Sequence, residues 1–219
     1  MDKGLVLKDV AITKGGAPLL SVSHAIGPGE VLTVMGPSGV GKSTLLAFIT
    51  GTLAPDFCAT GEVWLDGHDI TSAAPHQRRV GILFQDDLLF PHLSVGANLA
   101  FGLQPGGSAD ARKAKVDEAL EEVGLSGFAS RDPATLSGGQ KARVALMRML
   151  LSEPCALLLD EPFSRLDATL RAQVREMVFD RARARALPVL MVTHDAEDAQ
   201  AASGVIVTLE GQGATDRQG

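Results

Sequence analysis

Short runs of apolar residues alternate along the chain with longer stretches in which apolar positions recur every three or four residues. The near-continuous apolar runs "VLTVM", "ALLLD" and "VLMVT" are typical of strands covered on both faces of a parallel sheet. Strands are predicted at 5–12, 31–35, 62–66, 80–84, 156–160, 189–193 and 205–209. Helices are predicted at 42–51, 108–123, 139–151, 168–186 and 195–202. This alternation predicts an α/β fold with a mainly parallel sheet and helices on both of its faces.

Two regions depart from that alternation. Segments 5–12 and 61–66 fit a small antiparallel N-terminal sheet, whereas the stretch 88–152 is mostly helical. Within it, Ser108 is a predicted helix N-cap and Gly124 a predicted C-cap. We therefore predict one domain over 1–219, with a core at about 1–87 and 153–210, a helical subdomain at about 88–152 and a polar tail at 211–219.

The composition narrows the class of protein. With 219 residues, 45% of them hydrophobic, the chain is long enough and apolar enough for a globular core. Its formal net charge of -6 argues against nucleic-acid binding as the main task. The two cysteines, Cys58 and Cys155, have neither metal-ligand spacing nor the pattern of a disulfide framework. No apolar run approaches the roughly 20 residues that cross a bilayer, and no secretory signal is predicted, so work at a membrane would need spanning segments from other chains.

The stretch "GPSGVGKST" at 36–44 matches the pattern G-x-x-x-x-G-K-[ST], between a predicted strand and a predicted helix. In such a loop backbone N–H groups surround the phosphates, Lys42 reaches the β- and γ-phosphates and Ser43 ligates Mg²⁺. A glycine-rich turn that binds nothing is the alternative, and the flanking strand and helix favour the phosphate loop. The predicted ATP-binding residues are Gly36, Pro37, Ser38, Gly39, Val40, Gly41, Lys42, Ser43 and Thr44.

Asp160 and Glu161 end the buried strand of "ALLLDEP". Alone they would be an ordinary solvated strand end. Beside a phosphate loop, however, Asp160 is expected to face the Mg²⁺ shell and Glu161 the attacking water, because consecutive strand residues point to opposite sides. Gln85 and His194 also end predicted strands, and parallel strands bring their carboxyl ends to one edge, where α/β sheets bind ligands.

A second small-residue loop, "LSGGQ" at 136–140, runs into the helix predicted at 139–151. A helix N-terminus preceded by such a loop is a second anion site built from backbone N–H groups. The chain thus carries two candidate phosphate loops.

Together these motifs resemble, over essentially the whole chain and in the family's order, the ATP-binding subunits of bacterial ABC transporters of the importer type. "GPSGVGKST" looks like the Walker A loop, "FQDDLLFPHLSV" like the Q-loop region, "LSGGQ" like the signature, "LLLDEP" like Walker B, "SRLD" like the D-loop and "VTHD" like the H-loop. Within the family the chain looks most like the short YnjD-type subunits, grouped with thiamine-like importers. The resemblance implies the ABC-ATPase variant of the P-loop NTPase fold.

The resemblance also implies a role for each matching residue. The catalytic set would be Lys42, Gln85, Glu161 and His194, and the Mg²⁺ set Ser43, Gln85 and Asp160. Ser137, Gly138, Gly139 and Gln140 would bind the γ-phosphate of an ATP held by a second ATP-binding subunit. Asp167 would link the two sites across that dimer. The two phosphate loops would therefore serve two nucleotides shared by two chains.

Two features depart from the family's pattern. Residues 1–35 contain no Phe, Trp or Tyr, although the family usually places an aromatic residue there to stack on adenine. We predict weaker base discrimination, because stacking worth about 1–3 kcal/mol is missing. Arg165 stands in "SRLD" where the family usually has a small residue, and it either pairs with an acidic group across the dimer interface or lies in solvent.

The predicted function is ATP hydrolysis that energises transport of a small solute across the cytoplasmic membrane, in the direction of uptake. The expected partners are a second copy, integral membrane permease subunits and an extracytoplasmic solute-binding protein, with no nucleic acid, at the cytoplasmic side of the inner membrane. The apolar cluster at 88–93 suits permease docking, though it equally suits a domain core.

Two other classes of protein share part of this set of motifs. Soluble mechanochemical ATPases of DNA maintenance or translation share "LSGGQ"-like motifs, but they usually carry a coiled coil, zinc modules or a second ATPase half. A phosphotransferase built on the same phosphate loop needs neither "LSGGQ" nor a Glu after the Walker B Asp.

Overall fold

The computed structural model describes residues 3–209, so the predicted polar tail at 211–219 lies outside the described residues. The strands are β1 (Leu5–Lys14), β2 (Ala17–Ile26), β3 (Val31–Met35), β4 (Phe57–Leu65), β5 (His68–Asp69), β6 (Val80–Leu83), β7 (Ala156–Asp160), β8 (Val189–Thr193) and β9 (Val205–Thr208). The helices are α1 (Lys42–Thr50), α2 (Val95–Gly102), α3 (Ala109–Glu122), α4 (Gly138–Leu150), α5 (Ala168–Ala184) and α6 (Ala196–Ala201).

The strands form two sheets. The N-terminal sheet is antiparallel, in the order β2-β1-β4-β5, and the second sheet has five strands in the order β6-β7-β8-β3-β9. Strands β7, β8, β3 and β9 run parallel. Val189 of β8 pairs with Val31 of β3 on one side and with Leu157 of β7 on the other. The α/β fold with a mainly parallel sheet and a small antiparallel N-terminal sheet is confirmed.

The chain divides into two compact units. Among the described residues, the first comprises 3–80, 155–161 and 182–209, and the second comprises 81–154 and 162–181. In the first unit, α1 packs against β7 and β8, and β8 is buried along its whole length. In the second unit, α2 and α3 pack against α4, whose apolar face is fully covered.

Most predicted elements lie within one or two residues of their observed bounds, and the differences are local. Strand β2 and helix α2 had not been predicted, and β4 begins at Phe57 instead of at 62. Ser108 caps α3, because its hydroxyl accepts a hydrogen bond from the Ala111 N–H, 3.2 Å away. The C-cap is Val123, and Gly124 follows it in the left-handed conformation at φ 69°.

Candidate functional site

The phosphate loop connects the end of β3 to the first turn of α1. Helix α1 has no side-chain cap and no acidic residue in its first turn, so its first N–H groups remain available to an anion. The N-cap position is Gly41, at φ 102°, and a Cβ there would lie 2.7 Å from Leu20 Cδ2. The left-handed conformation therefore favours glycine at this position, and the neighbouring leucine side chains would have to shift to admit a Cβ. Pro37, Ser38 and Gly39 are exposed, which leaves the loop open to solvent.

Lys42 is only 6% exposed, and its ammonium group lies inside the phosphate loop. Its Nζ donates hydrogen bonds to the carbonyl oxygens of Gly36 at 2.6 Å and Pro37 at 3.0 Å. The same Nζ lies 3.8 Å from Glu161 Oε1. A buried ammonium needs such partners, because an unpaired charge in this environment is strongly disfavoured.

The two carboxylates at the end of β7, Asp160 and Glu161, have different partners. Asp160 Oδ1 accepts a hydrogen bond from the Ser43 hydroxyl at 3.2 Å. Burial raises the pKa of the Asp160 carboxyl, the Ser43 hydrogen bond opposes that rise, and neighbouring Glu161 adds to it. A half-buried carboxylate and a hydroxyl held together are oxygen ligands of the kind that Mg²⁺ takes beside a nucleotide's phosphates.

Glu161 has an unusual backbone conformation for its residue type. Its φ is 45°, in the left-handed region, and its N–H donates to the Val192 carbonyl at 3.0 Å. Non-glycine residues are rare in that region, and those that occur cluster at functional sites. The turn directs the carboxylate to Lys42 and to His194, whose Nδ1 lies 3.1 Å from Glu161 Oε1. His194 itself is 57% exposed and follows β8 directly.

The second candidate phosphate loop, at 136–140, belongs to the second unit and leads into α4. Ser137 is the N-cap of that helix and forms a capping box with Gln140, in which each side chain accepts a hydrogen bond from the other's backbone N–H. A Cβ at Gly139 would collide with the Leu170 side chain of α5, whereas a Cβ at Gly138 would meet nothing within 4 Å. Gly139 is thus fixed by packing and Gly138 is open to an approaching ligand.

The remaining predicted site residues also belong to the second unit. Gln85 is exposed and lies two positions after the end of β6. Asp167 caps the start of α5, because its Oδ1 accepts from the Leu170 N–H at 3.1 Å. Arg165 is 61% exposed and forms an ion pair with Asp86 of the same chain, which agrees with the expected position in solvent. Its pairing across a dimer interface stays a prediction.

Several contacts that support the site are not evident from the sequence. Leu20 lies against the phosphate loop because β2 runs beside it, and β2 had not been predicted. Asp195 caps α6 directly after His194, accepting from the Glu197 N–H at 2.8 Å and the Asp198 N–H at 3.2 Å. An Asp before a helical pattern is an N-cap signal, and "HDAEDA" contained it.

Within residues 3–209, no three or more His, Cys, Asp or Glu side chains form a group suited to a metal ion. No helix in the same range has the length and apolar character required to span a membrane.

The fold and the site define an ATPase of the ABC family. A family model described as ABC transporter matches residues 19–164, and the chain belongs to that family, as an ATP-binding subunit that hydrolyses ATP. The uncharacterized ABC transporter ATP-binding protein YnjD of Escherichia coli K12 is 50% identical over 203 residues, which cover 92% of this chain and 94% of YnjD.

Two further relatives are import ATPases by name. The thiamine import ATP-binding protein ThiQ of Salmonella choleraesuis is 46% identical over 198 residues, covering 88% of this chain and 83% of ThiQ. The sulfate/thiosulfate import ATP-binding protein CysA of Gloeobacter violaceus is 45% identical over 185 residues, covering 84% of this chain and 53% of CysA. The chain therefore spans about half the length of that last relative. The resemblance inferred from the motifs is confirmed.

Proposed function

We propose that this ATPase drives uptake of a small solute through separate permease subunits at the cytoplasmic side of the inner membrane, together with an extracytoplasmic solute-binding protein. The proposed direction is supported by the relatives whose names state import of thiamine, sulfate or Fe³⁺. The observation that carries the catalytic part is the cluster of Lys42, Glu161 and His194 at the phosphate loop, with Glu161 Oε1 within 3.8 Å of Lys42 Nζ and 3.1 Å of His194 Nδ1.

In the proposed mechanism the uncapped N-terminus of α1 binds the phosphates, and Lys42 exchanges the Gly36 and Pro37 carbonyls for phosphate oxygens. Ser43 and Asp160 would hold Mg²⁺, which would supply positive charge beside the β- and γ-phosphates. The role of Gln85 as a further Mg²⁺ ligand stays a prediction of the family resemblance. Glu161 accepts a hydrogen bond from the attacking water and orients it in line with the γ-phosphate. His194, which holds the Glu161 carboxylate here, contacts the γ-phosphate.

We also propose that two copies share two nucleotides. Ser137, Gly138, Gly139 and Gln140 of one copy would bind the γ-phosphate held by the other copy, and Asp167 would link the two sites. The open space at Gly138 and the positive end of the α4 dipole support this role. Only ATP carries a γ-phosphate, so dimer closure would depend on the nucleotide present.

The second unit carries exposed apolar side chains that suit a permease contact. Leu88 is 55% exposed and Phe101 is 68% exposed, and the ring of Phe101 packs edge-on against Phe90 at 4.7 Å between centroids. Contiguous exposed apolar side chains commonly mark sites of contact with another protein. We therefore assign permease docking to the surface formed by Leu88, Phe90 and Phe101.

Glu161→Gln tests the catalytic assignment. The amide keeps the shape of the side chain but no longer accepts the water's proton, so ATP should still bind while turnover falls by about 10²–10⁴-fold. Phosphate release from the purified chain measures turnover, and calorimetry measures binding. Glu197→Gln, on the exposed first turn of α6, is the matched control and should hydrolyse ATP normally. Turnover by Glu161→Gln within about twofold of wild type would refute the role given to Glu161.

The same variant tests the direction of transport. Cells in which Glu161→Gln replaces the wild-type chain should accumulate less of the transported solute, with thiamine, sulfate and Fe³⁺ as the first radiolabelled probes. Raised accumulation of a probe in those cells would point to export instead.

A further inference from the structure

Helix α1 begins at the phosphate loop, and its carboxyl end is held by an arginine from a later part of the chain. The last turn of α1 contains no basic residue. Instead, Nη1 of Arg78 donates hydrogen bonds to the carbonyl oxygens of Phe48 and Ile49, both at 2.9 Å. The last carbonyl groups of a helix have no intrahelical partner and carry partial negative charge. Arg78 therefore places a cation at the end of α1 opposite the phosphate loop.

Other carbonyl groups fix the same guanidinium. Its Nε donates to the Ala73 carbonyl oxygen at 2.8 Å, and its Nη2 donates to that of Thr71 at 2.6 Å. Arg78 is 5% exposed, and all of these hydrogen bonds go to the backbone and none to a carboxylate. Arginine keeps its charge in proteins. The end of α1 thus adjoins a buried positive charge in a fixed position.

The residue after α1 leaves room for this group. Gly51 is the C-cap of the helix, at φ 77°, and a Cβ there would lie 2.7 Å from Nε and 2.8 Å from Cζ of Arg78. The guanidinium therefore packs directly against the backbone of Gly51. A side chain at this position would displace the guanidinium from the end of α1, in addition to the strain of the left-handed conformation.

The helix itself connects Arg78 to the phosphate loop. Phe48 and Lys42 belong to the same helix, and a rise of about 9 Å along its axis separates them. Over such a distance a buried charge is screened only in part. The hydrogen bonds fix the direction in which α1 presents its first N–H groups. The cation also offsets the negative end of the helix dipole, so that the positive end dominates at the loop.

We propose that Arg78 is a positioning residue for phosphate binding, which holds α1 by its carboxyl end and adds positive charge behind the phosphate loop. The inference rests on the proposed binding of ATP at that loop and assigns a residue that touches neither the nucleotide nor Mg²⁺. Glu161 and His194 follow other elements, β7 and β8. Loss of Arg78 therefore weakens ATP binding and leaves the chemical step intact.

Steady-state hydrolysis of ATP by Arg78→Met and Arg78→Lys tests the proposal. Methionine fills most of the space but removes the charge and its donors, so KM for ATP rises by about tenfold, while kcat stays within about twofold of wild type. Arg78→Lys keeps the charge and restores most of the affinity. Calorimetric titration with inorganic tripolyphosphate shows the same loss and rescue as ATP, because Arg78 acts on the phosphates and not on the base.

Arg112→Met is the matched control. Arg112 also donates to backbone carbonyl groups at the carboxyl end of a helix, to Ala100 of α2 at 3.0 Å and to Gln104 beyond it at 2.8 Å. Helix α2 does not begin at a phosphate loop. The control variant loses an equal charge and comparable hydrogen bonds, and its KM for ATP stays at the wild-type value.

A second variant covers the case in which Arg78→Met does not fold. Gly51→Ala keeps the arginine but displaces its guanidinium from the carbonyl groups of α1, so KM rises and kcat is again unchanged. Gly127→Ala is its control, because Gly127 has φ 79° and a Cβ there would meet nothing within 4 Å. That variant carries the same backbone strain and keeps the wild-type KM.

Several results would overturn the assignment. A merely structural role would reduce the fraction of active protein, which lowers kcat and leaves KM unchanged in Arg78→Met or Gly51→Ala. Wild-type KM and kcat in either variant would exclude any role in phosphate binding, and equal KM values for Arg78→Lys and Arg78→Met would exclude a role for the charge. Wild-type protein that binds neither ATP nor tripolyphosphate would instead refute the proposed function.

Discussion

At the scale of single residues, a buried hydroxyl group in the parallel sheet lacks a hydrogen-bond partner and is expected to lower the stability of the fold. Thr33 in the middle of β3 is 0% exposed, and its Oγ1 has no hydrogen-bond partner among residues 3–209. Thr193, at the end of the neighbouring strand, is 2% exposed, but its Oγ1 accepts from the Asp195 N–H at 3.0 Å. The same residue type is therefore unsatisfied in one strand and satisfied in the next.

Thr33→Val should raise the free energy of unfolding by about 1 kcal/mol, because valine has the same shape and removes the unsatisfied hydroxyl. Thr193→Val should lower it by about 1 kcal/mol, because the Asp195 N–H loses its acceptor. Urea unfolding of both variants beside wild type, with the slope compared as well as the midpoint, measures these changes. A shift of both variants in the same direction would contradict the assignment of the two hydroxyl groups.

Most residues of the proposed catalytic cluster could be predicted from the sequence, because short motifs encode them. Lys42 and Ser43 follow from the spacing of the phosphate loop, and Asp160 and Glu161 from a buried strand that ends in two carboxylates. The positive φ of Glu161 and its approach to His194 could not be predicted, since they depend on the pairing of β7 with β8.

At the scale of elements, the sequence predicted those whose local pattern agrees with their final environment. Strands β3, β7 and β8 were placed with their observed bounds because their apolar runs are buried on both faces. Helix α2, "VGANLAFG", has two glycines that lower its helix propensity, and its stability comes from the Ser94 cap and packing against α4. Strand β2 alternates weakly between apolar and polar residues, so its pairing with β1 decides its structure.

Helix α4 is joined to the segment that follows Gln85 by one arginine. The guanidinium of Arg148 donates to the Leu88 carbonyl at 2.9 Å, the Asp87 carbonyl at 3.2 Å and Asn98 Oδ1 at 3.4 Å. Burial lowers the pKa of Arg148, and burial also raises the pKa of Asp87. Since α4 begins at the second phosphate loop, Arg148 connects that helix to the proposed permease-contact segment within one unit.

Arg148→Met should release residues 87–88 while keeping the aliphatic packing of α4. Each hydrogen bond from a charged donor is worth about 1.5–3 kcal/mol, so amides in 86–93 should exchange with solvent at least about tenfold faster. Hydrogen–deuterium exchange read by mass spectrometry gives this directly. Arg112→Met is the control, because Arg112 binds the carbonyls of Ala100, Gln104 and Gly106 instead. Unchanged protection of the amides in 86–93 in Arg148→Met would contradict the proposal that Arg148 holds this segment to α4.

At the scale of the whole molecule, the question is whether the chain works alone. Each candidate loop meets a different requirement for phosphate binding: α1 leaves its first N–H groups uncapped, whereas α4 carries a complete capping box and an open Gly138. The first arrangement suits a nucleotide that resides in the loop. The second suits a rigid surface that meets a phosphate presented by another chain, which is the proposed role of the signature loop.

Ser137→Arg distinguishes ATP binding by a single chain from closure of the dimer by two chains. The long cation would obstruct the approach of a partner's γ-phosphate, so hydrolysis should fall by about 10²–10³-fold, the effect of losing a preorganised phosphate contact. ATP binding to each chain should stay within about twofold of wild type, because the α1 loop is untouched. In sedimentation experiments with ATP, Glu161→Gln should form dimers. The double variant that also carries Ser137→Arg should remain monomeric.

Loss of the helix cap alone must be distinguished from loss of the phosphate contact. Ser108→Arg is the control, because it removes a serine cap of the same geometry from α3. Ser108 Oγ accepts from the Ala111 N–H at 3.2 Å, and Ser137 Oγ accepts from the Gln140 N–H at 3.3 Å. Both variants should therefore lose about 1 kcal/mol of stability. Only Ser137→Arg should lose dimers and turnover, and dimer formation by Ser137→Arg at wild-type levels would mean that the second loop binds no partner's phosphate.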